Sequence, residues 1–453
     1  MKFPILLALP NQEPLVESAA AAREGRAPTI PLLRARVPGR FTIDDSIAAV
    51  PIGEGSAESI VASSGPDGRS ELFAVRGYVE AASVDEIPEE LDGQRVYSDV
   101  QIAPFAACDD VPVGSSSDVR RKIGFDTLTQ KSLNGENVAV AIVDTGISLP
   151  YLNKKVASGQ LSGPIRFDAA NSWTPTGLSQ VPGQSTVDHG TMCAYDVLLG
   201  GPKATLLDYP ILASTAPGAN PTGRSISVAL LAFAELLSNW AVRFAPGGLH
   251  ALYSGLVINN SWGIYHPSWD FPEGHRGRYC DNPQHPFNLV VTALANSGVD
   301  ILFAAGNCGA DCPDGRCRGR TTHTIMGANA HPSVLTVAGC DINDVRVGYS
   351  SQGPSIPKMF QEKPDITAYT HFLGSEAFGP GVPDSGTSTA CPVAAGCVAA
   401  IRTRKSPTHL PPPALFQQLR STATPKPGPS AGWNGDYGYG ILDPVAAASS
   451  LGL

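Results

Sequence analysis

No apolar run in this 453-residue chain reaches the roughly 18 residues that a membrane-spanning helix needs, so no membrane span is expected. Basic residues are also in deficit: 32 Lys and Arg stand against 41 Asp and Glu, a net charge of −9. Nucleic acids and anionic lipid surfaces are held by basic surface, so neither is expected as a partner. Charged residues are only 16% and hydrophobic residues 42%, which excludes a disordered polyelectrolyte and leaves a chain able to bury a large core in two domains. There is no internal repeat, and no low-complexity tract beyond Ala19–Ala22 and Pro411–Pro413. Residues Met1–Gln12 carry one Lys and a short apolar stretch broken by Pro4 and Pro10, with no small-x-small site after it. That reads as a first β-strand rather than a signal peptide. A cytoplasmic location is the resulting expectation, with secretion as the alternative.

Glycine (47) and proline (40) are abundant, so tight turns and long structured loops are expected. Of nine cysteines, most suit buried thiols in an intracellular chain. Cys308, Cys312 and Cys317 are too dense for that. With Cys280 as a fourth member, two disulfides or a four-thiolate zinc site would each brace the loop. The spacing is not that of a zinc ribbon, so zinc is the lesser reading.

Two regions differ in pattern. Residues 1 to about 102 read as short strands and turns: Pro4–Ala8, Glu71–Val79 and Arg95–Ile102, the second alternating as a half-buried strand does. The small, polar stretch Cys108–Ser117 reads as a linker. This divides the chain into a small α+β N-terminal domain with its linker, 1–115, and a second domain, 116–453. In the second, apolar β-branched runs at Asn137–Val143, Leu256–Asn260, Val299–Ala304 and Val334–Ala338 alternate with helical spacing at Ser225–Phe244 and Phe287–Ser297. That rhythm predicts an α/β fold, a doubly wound, mostly parallel sheet with helices on both faces.

Four segments fall where such sheets gather chemistry, outside the carboxyl ends of strands. Asp144 ends an apolar strand before Thr145-Gly146, where it can accept from a His ring or simply cap a turn. His189, in Asp188-His189-Gly190-Thr191, opens a helix-like run and either faces a cleft or is structural. Ser388, in Gly386-Thr387-Ser388-Thr389-Ala390-Cys391-Pro392, stands at a helix start among backbone N–H groups, as a nucleophile or an ordinary N-cap. Asn307 follows Ala304-Ala305-Gly306 and can donate a side-chain amide to a developing oxyanion.

Together these segments resemble the subtilase family of serine peptidases, in its order of Asp, His, oxyanion Asn, Ser, over roughly residues 118–448. Asn260-Ser261-Trp262-Gly263 is similar to the family's substrate-binding strand. Tyr437–Pro444 is similar to the close of many of its domains. The chain order separates the pattern from trypsin-like and α/β-hydrolase enzymes. The resemblance implies a serine endopeptidase in which Ser388 attacks, His189 is base and then acid, Asp144 orients the imidazole, and Asn307 with the Ser388 N–H forms the oxyanion hole. It implies that Ser261, Trp262 and Gly263 pair with an extended polypeptide substrate and that Ala304, Ala305 and Gly306 wall the specificity pocket. No cofactor is required for that chemistry; structural calcium is compatible with it. Aligning His323–Val334 with the family's matching strand places Met326 where a Gly often floors the pocket, giving either a shallow apolar pocket that excludes Arg and Lys or a Met packed in the core.

Departures from the pattern are Met192-Cys193-Ala194-Tyr195 after His-Gly-Thr, and Thr389 after the Ser. The segments Gly201–Leu249 and Tyr265–Pro286 look longer than the family minimum, the second able to rim the substrate cleft or cover the sheet. In the family an N-terminal prodomain folds the enzyme and blocks its cleft with its tail, here Ala103–Val113. The expectation is a zymogen whose first 115 or so residues act as chaperone and inhibitor. Its rival is a permanent accessory domain. Two other readings compete: an inert peptidase-like binding protein, separable by a fluorophosphonate probe, and an esterase or acyl transferase, separable by casein against a simple ester.

Overall fold

The structure, a computed structural model, describes residues 1–63, 70–104, 111–175, 180–213, 225–241, 248–426 and 432–453. Its second half is built on a seven-stranded sheet. The order across it is Ile366–Tyr369, Leu335–Cys340, Asp300–Ala304, Gly255–Asn260, Val138–Val143, Thr205–Tyr209 and Arg166–Phe167, and every neighbouring pair is parallel. The central strands are buried along their whole length, as in Val138–Val143, because helices cover both faces. On one face lie the helices His189–Gly200, Thr387–Arg402 and Pro412–Thr422. On the other lie Ile226–Ala241 and Pro286–Asn296. The expected doubly wound α/β architecture is therefore present.

Gly201–Leu249 is built into the core of the fold. It supplies the sheet strand Thr205–Tyr209 and the helix Ile226–Ala241. The strand is five residues long and carries the buried Asp208, so no extended apolar run marks it. The linker expected at Cys108–Ser117 falls partly on 108–110, outside the described residues. Beyond it Ser115 caps the helix Ser116–Lys122 through a reciprocal pair with Asp118.

The N-terminal region forms an antiparallel sheet in the order Phe41–Ile43, Leu72–Glu80, Lys2–Pro10, Gln94–Ser98, Glu90–Leu91, with Val50–Gly53 also paired to the long strand Leu72–Glu80. Two helices unmarked in the sequence, Glu13–Arg23 and Ala57–Ser63, pack with it.

This sheet docks on the Ile226–Ala241 and Pro286–Asn296 side of the larger domain, where Leu6, Ala8, Val50, Ile52, Ala74 and Ile102 join that domain's apolar core. Polar bonds fix the register. Asp99 accepts from the Ser227 N–H at 2.9 Å and from Arg76 Nε at 2.6 Å, and Arg76 also pairs with Asp44. The Ser98 N–H donates to Gly277 O at 2.8 Å. His285 links Ser98 O at 3.0 Å, through Nε2, to the Phe287 N–H, which donates to Nδ1. Burial pushes this imidazole down to about 4, so it stays in the neutral form that can do both. The Tyr265–Pro286 segment thus anchors the N-terminal sheet rather than merely covering the core.

Candidate active site

Asp144 follows the last residue of the Val138–Val143 strand. Ser261 follows the adjacent strand Gly255–Asn260, and Asn307 lies three residues past the next one, Asp300–Ala304. Parallel neighbours bring these strand ends to one edge of the sheet. The helices that open with His189 and with Thr387-Ser388 pack against each other on one face. Their approach needs glycine: a Cβ on Gly396 would lie 2.1 Å from Val197 O. A Cβ on Gly190 would lie 2.6 Å from Gly146 O, so the helix start can meet the Asp144 turn only without one.

His189 Nδ1 lies 2.8 Å from Asp144 Oδ1, and both side chains are buried. Asp144 Oδ1 also accepts from the Thr145 N–H at 2.7 Å, while Thr145 Oγ1 accepts from the Gly190 N–H at 2.8 Å. A carboxylate on Nδ1 selects the tautomer whose Nε2 carries the lone pair of a base. Cys193, one turn into the His189 helix, has Sγ 3.7 Å from Asp144 Oδ2, 3.8 Å from His189 Nδ1 and 3.6 Å from Ser388 O. The three expected residues therefore surround one sulfur atom. The thiol is buried, and burial drives its pKa well up, so it stays neutral beside the carboxylate.

Pro392 lies inside the Thr387–Arg402 helix. It has no N–H, so Ser388 O loses its ordinary i+4 donor. Ser261 Oγ, at 2.9 Å, donates to that carbonyl instead, and Ser388 Oγ lies 3.1 Å from Ser261 O. Ser388 is thereby fastened to the strand beside it. Asn307 is held with equal specificity: its Oδ1 accepts from the Thr387 N–H at 2.9 Å and from Thr387 Oγ1 at 3.0 Å, which leaves the amide NH₂ as the end that can donate to a reacting oxygen. Its own carbonyl accepts from the Asp314 N–H at 2.9 Å.

The Peptidase_S8 model, that of the subtilase family, matches residues 135–440. The chain belongs to the subtilase family. As a subtilase it is a serine endopeptidase, a hydrolase acting on polypeptides. It is 25% identical to Subtilisin E of Bacillus subtilis (strain 168) over 344 residues, 75% of this chain and 71% of that one. It is 25% identical to the serine protease AprX of the same organism over 323 residues, 62% of this chain and 60% of that one. Among solved structures, fervidolysin from Fervidobacterium pennivorans shares the fold at a TM-score of 0.58 and 16% identity, covering 99% of this chain and 61% of that one.

The other expected positions of a subtilase site are placed as follows. Trp262-Gly263 is a short strand whose partner is Ala103-Pro104, antiparallel, with Trp262 opposite Pro104 and Gly263 opposite Ala103. The first two residues of the expected inhibitory tail thus pair with the expected substrate-binding strand. Residues 105–110 of that tail lie outside the described residues. Val111 and Val113 are bound by His371, through Nε2 to Val111 O at 2.9 Å and from the Val113 N–H to His371 O at 2.7 Å.

Ala304, Ala305 and Gly306 are tied down by Asn329, Val337 and Thr387. Asn329 was not singled out in the sequence. Its Nδ2 donates to both Trp262 O, at 3.0 Å, and Ala304 O, at 2.9 Å, and so fixes the spacing of the two segments. Only tertiary contact reveals that role. Met326 is 1% exposed and belongs to the apolar core that includes Ile325, Tyr279 and Phe287.

The cysteine cluster needs correction. Cys308 is disulfide-bonded to Cys317, Cys312 is also disulfide-bonded, and Cys280 is a free, buried thiol. A four-thiolate zinc site at Cys280, Cys308, Cys312 and Cys317 does not fit, because bonded sulfurs are not thiolate ligands. Cys280 instead sits in the Tyr265–Pro286 segment, its N–H on the buried carboxylate of Asp270 at 2.7 Å.

Proposed function

We propose that this subtilase cleaves peptide bonds through Ser388, His189 and Asp144, and that it first cleaves its own chain in the tail of the N-terminal domain. The observation that supports the reading is the antiparallel pairing of Ala103-Pro104 with Trp262-Gly263, the strand that resembles the family's substrate-binding strand.

In the first step Ser388 Oγ attacks the carbonyl carbon and its proton passes to His189 Nε2. Asp144 Oδ1 receives the Nδ1–H bond and stabilises the imidazolium. The carbonyl oxygen, now an oxyanion, takes hydrogen bonds from Asn307 Nδ2 and the Ser388 N–H. Collapse breaks the C–N bond, and His189 returns the proton to the leaving amine. An acyl-enzyme remains on Ser388 Oγ. Water, deprotonated by the same Nε2, then releases the acid and restores Ser388.

Self-cleavage is assigned to the span 105–113, which follows the paired strand. Residues 1 to about 115 are assigned the role of chaperone and inhibitor, supported by their docking against the larger domain through Asp99, Ser98 and the shared apolar core. The bonded state of Cys308, Cys312 and Cys317 supports an oxidising compartment, and so the secreted alternative. The test of the chemistry is a fluorophosphonate probe. Labelling of the wild type but not of Ser388→Ala supports the site; equal labelling of both removes Ser388 as the nucleophile.

A further inference from the structure

The loop closed by the Cys308–Cys317 disulfide carries an arginine that the triad chemistry does not use. Arg316 Nη1 donates to Pro104 O at 3.2 Å, and Tyr265 Oη donates to the same oxygen at 2.9 Å. Pro104 is the tail residue opposite Trp262. Having no N–H, it offers the cleft only that carbonyl as a main-chain hydrogen-bonding group.

Both donors are held in place. The Arg316 guanidinium stacks on the Tyr265 ring, with Cζ 3.9 Å from its centroid, and Nη2 also donates to Tyr265 Oη. Asp314 takes Nε at 3.0 Å and Nη2 at 2.9 Å, leaving Nη1 for the tail. The Asp314 N–H in turn donates to Asn307 O, so the arginine loop is anchored on the proposed oxyanion residue. Tyr265 is buried, so its hydroxyl cannot swing away.

We infer that Arg316 and Tyr265 form a clamp for the backbone carbonyl of whichever substrate residue lies opposite Trp262, on the acyl side of the scissile bond. The inference rests on the site reading proposed above. A guanidinium and a phenol hydroxyl converging on one carbonyl read main chain rather than side chain. The clamp therefore tolerates many residues there and accepts proline without loss, because it asks for no N–H. Arg316 is a positioning and binding residue. The carbonyl it holds does not react, so its bonds are the same in the ground state and the transition state and act on KM.

The experiment compares wild type, Arg316→Ala, Arg316→Lys and Tyr265→Phe, each as purified. The substrate is a fluorogenic peptide of residues 99–110 with Cys108→Ser. A hydrogen bond from a charged donor corresponds to about 10–100-fold in binding. Arg316→Ala should raise KM by about that factor with little change in kcat, and Arg316→Lys, which keeps a cationic donor, should recover part of it. Tyr265→Phe, which removes one oxygen and preserves the packing, should raise KM several-fold. Unchanged KM in both Arg316→Ala and Tyr265→Phe overturns the clamp, as does a loss confined to kcat or one that Arg316→Lys does not repair. Failure of the wild type to react with a fluorophosphonate overturns the underlying site reading instead, and is a separate outcome.

Discussion

The two sheets of this protein bury their strands in different ways. Val138–Val143 in the larger sheet is buried at every residue, with helices on both faces. Leu72–Glu80 in the N-terminal sheet is buried at Phe73–Val75 and alternates buried and half-exposed positions towards its end. The first sheet carries the proposed catalytic positions at its strand ends. The second has the apolar face of its own core, but it also lends Leu6, Ala8, Val50 and Ile52 to the core of its neighbour. On the proposed reading one region is a scaffold for chemistry, and the other lies on that scaffold and presents its tail to it.

The sharpest separation of the two roles comes from Ser388→Ala. On this account it lowers peptide turnover by about 10⁶-fold, the scale known for removing the nucleophile of subtilisin itself, while leaving both sheets folded. The measurement is kcat on casein beside circular dichroism. Asp99→Ala addresses the other region. It removes the acceptor of the Ser227 N–H and hydroxyl across the two domains, and should weaken docking of the N-terminal domain by about 1–3 kcal/mol. Gel filtration after processing checks this: the N-terminal fragment should elute with the wild-type enzyme and apart from the variant. Asn307→Ala should cost about 10²–10³ in kcat, with KM nearly unchanged, because its amide acts on the oxyanion rather than on the bound carbonyl.

The smallest effect concerns the scaffold alone. Burial pushes Asp208 up to about 7, although the N–H groups of Gly183 and Ile147 pull the other way. A carboxyl whose pKa is raised on folding favours the folded state fully below its unfolded value near 4. That contribution fades as pH climbs and is gone above about 7. Asp208→Asn keeps an oxygen for both N–H groups and cannot ionise. In a Ser388→Ala background, the wild-type residue should lose about 1–3 kcal/mol relative to Asn between pH 4 and pH 8 by urea unfolding. A constant difference across that range refutes the assignment.

The comparison also explains what could be read in advance. Asp144, His189, Asn307 and Ser388 each sit in a contiguous motif at the end of an element, so local sequence carries both residue and context. The strand Thr205–Tyr209 was missed because Asp208 interrupts a run of five. The helix Glu13–Arg23 was missed because Ala19–Ala22 has no amphipathic contrast to reveal it. Asn329 and Arg316 were beyond reach for another reason: what they touch is far away in the chain. Asn329 reaches Trp262, and Arg316 reaches Pro104. The disulfide decided between two readings of the same cysteines that spacing alone left open.

The central claim is that the tail paired with Trp262-Gly263 is presented to Ser388 as a substrate. N-terminal sequencing and intact mass of the purified wild type, beside its Ser388→Ala form, test it most directly. The account predicts a wild-type chain that begins within residues 106–114 and an alanine variant that keeps Met1. An intact, active wild type, or a variant cut at the same place, contradicts it.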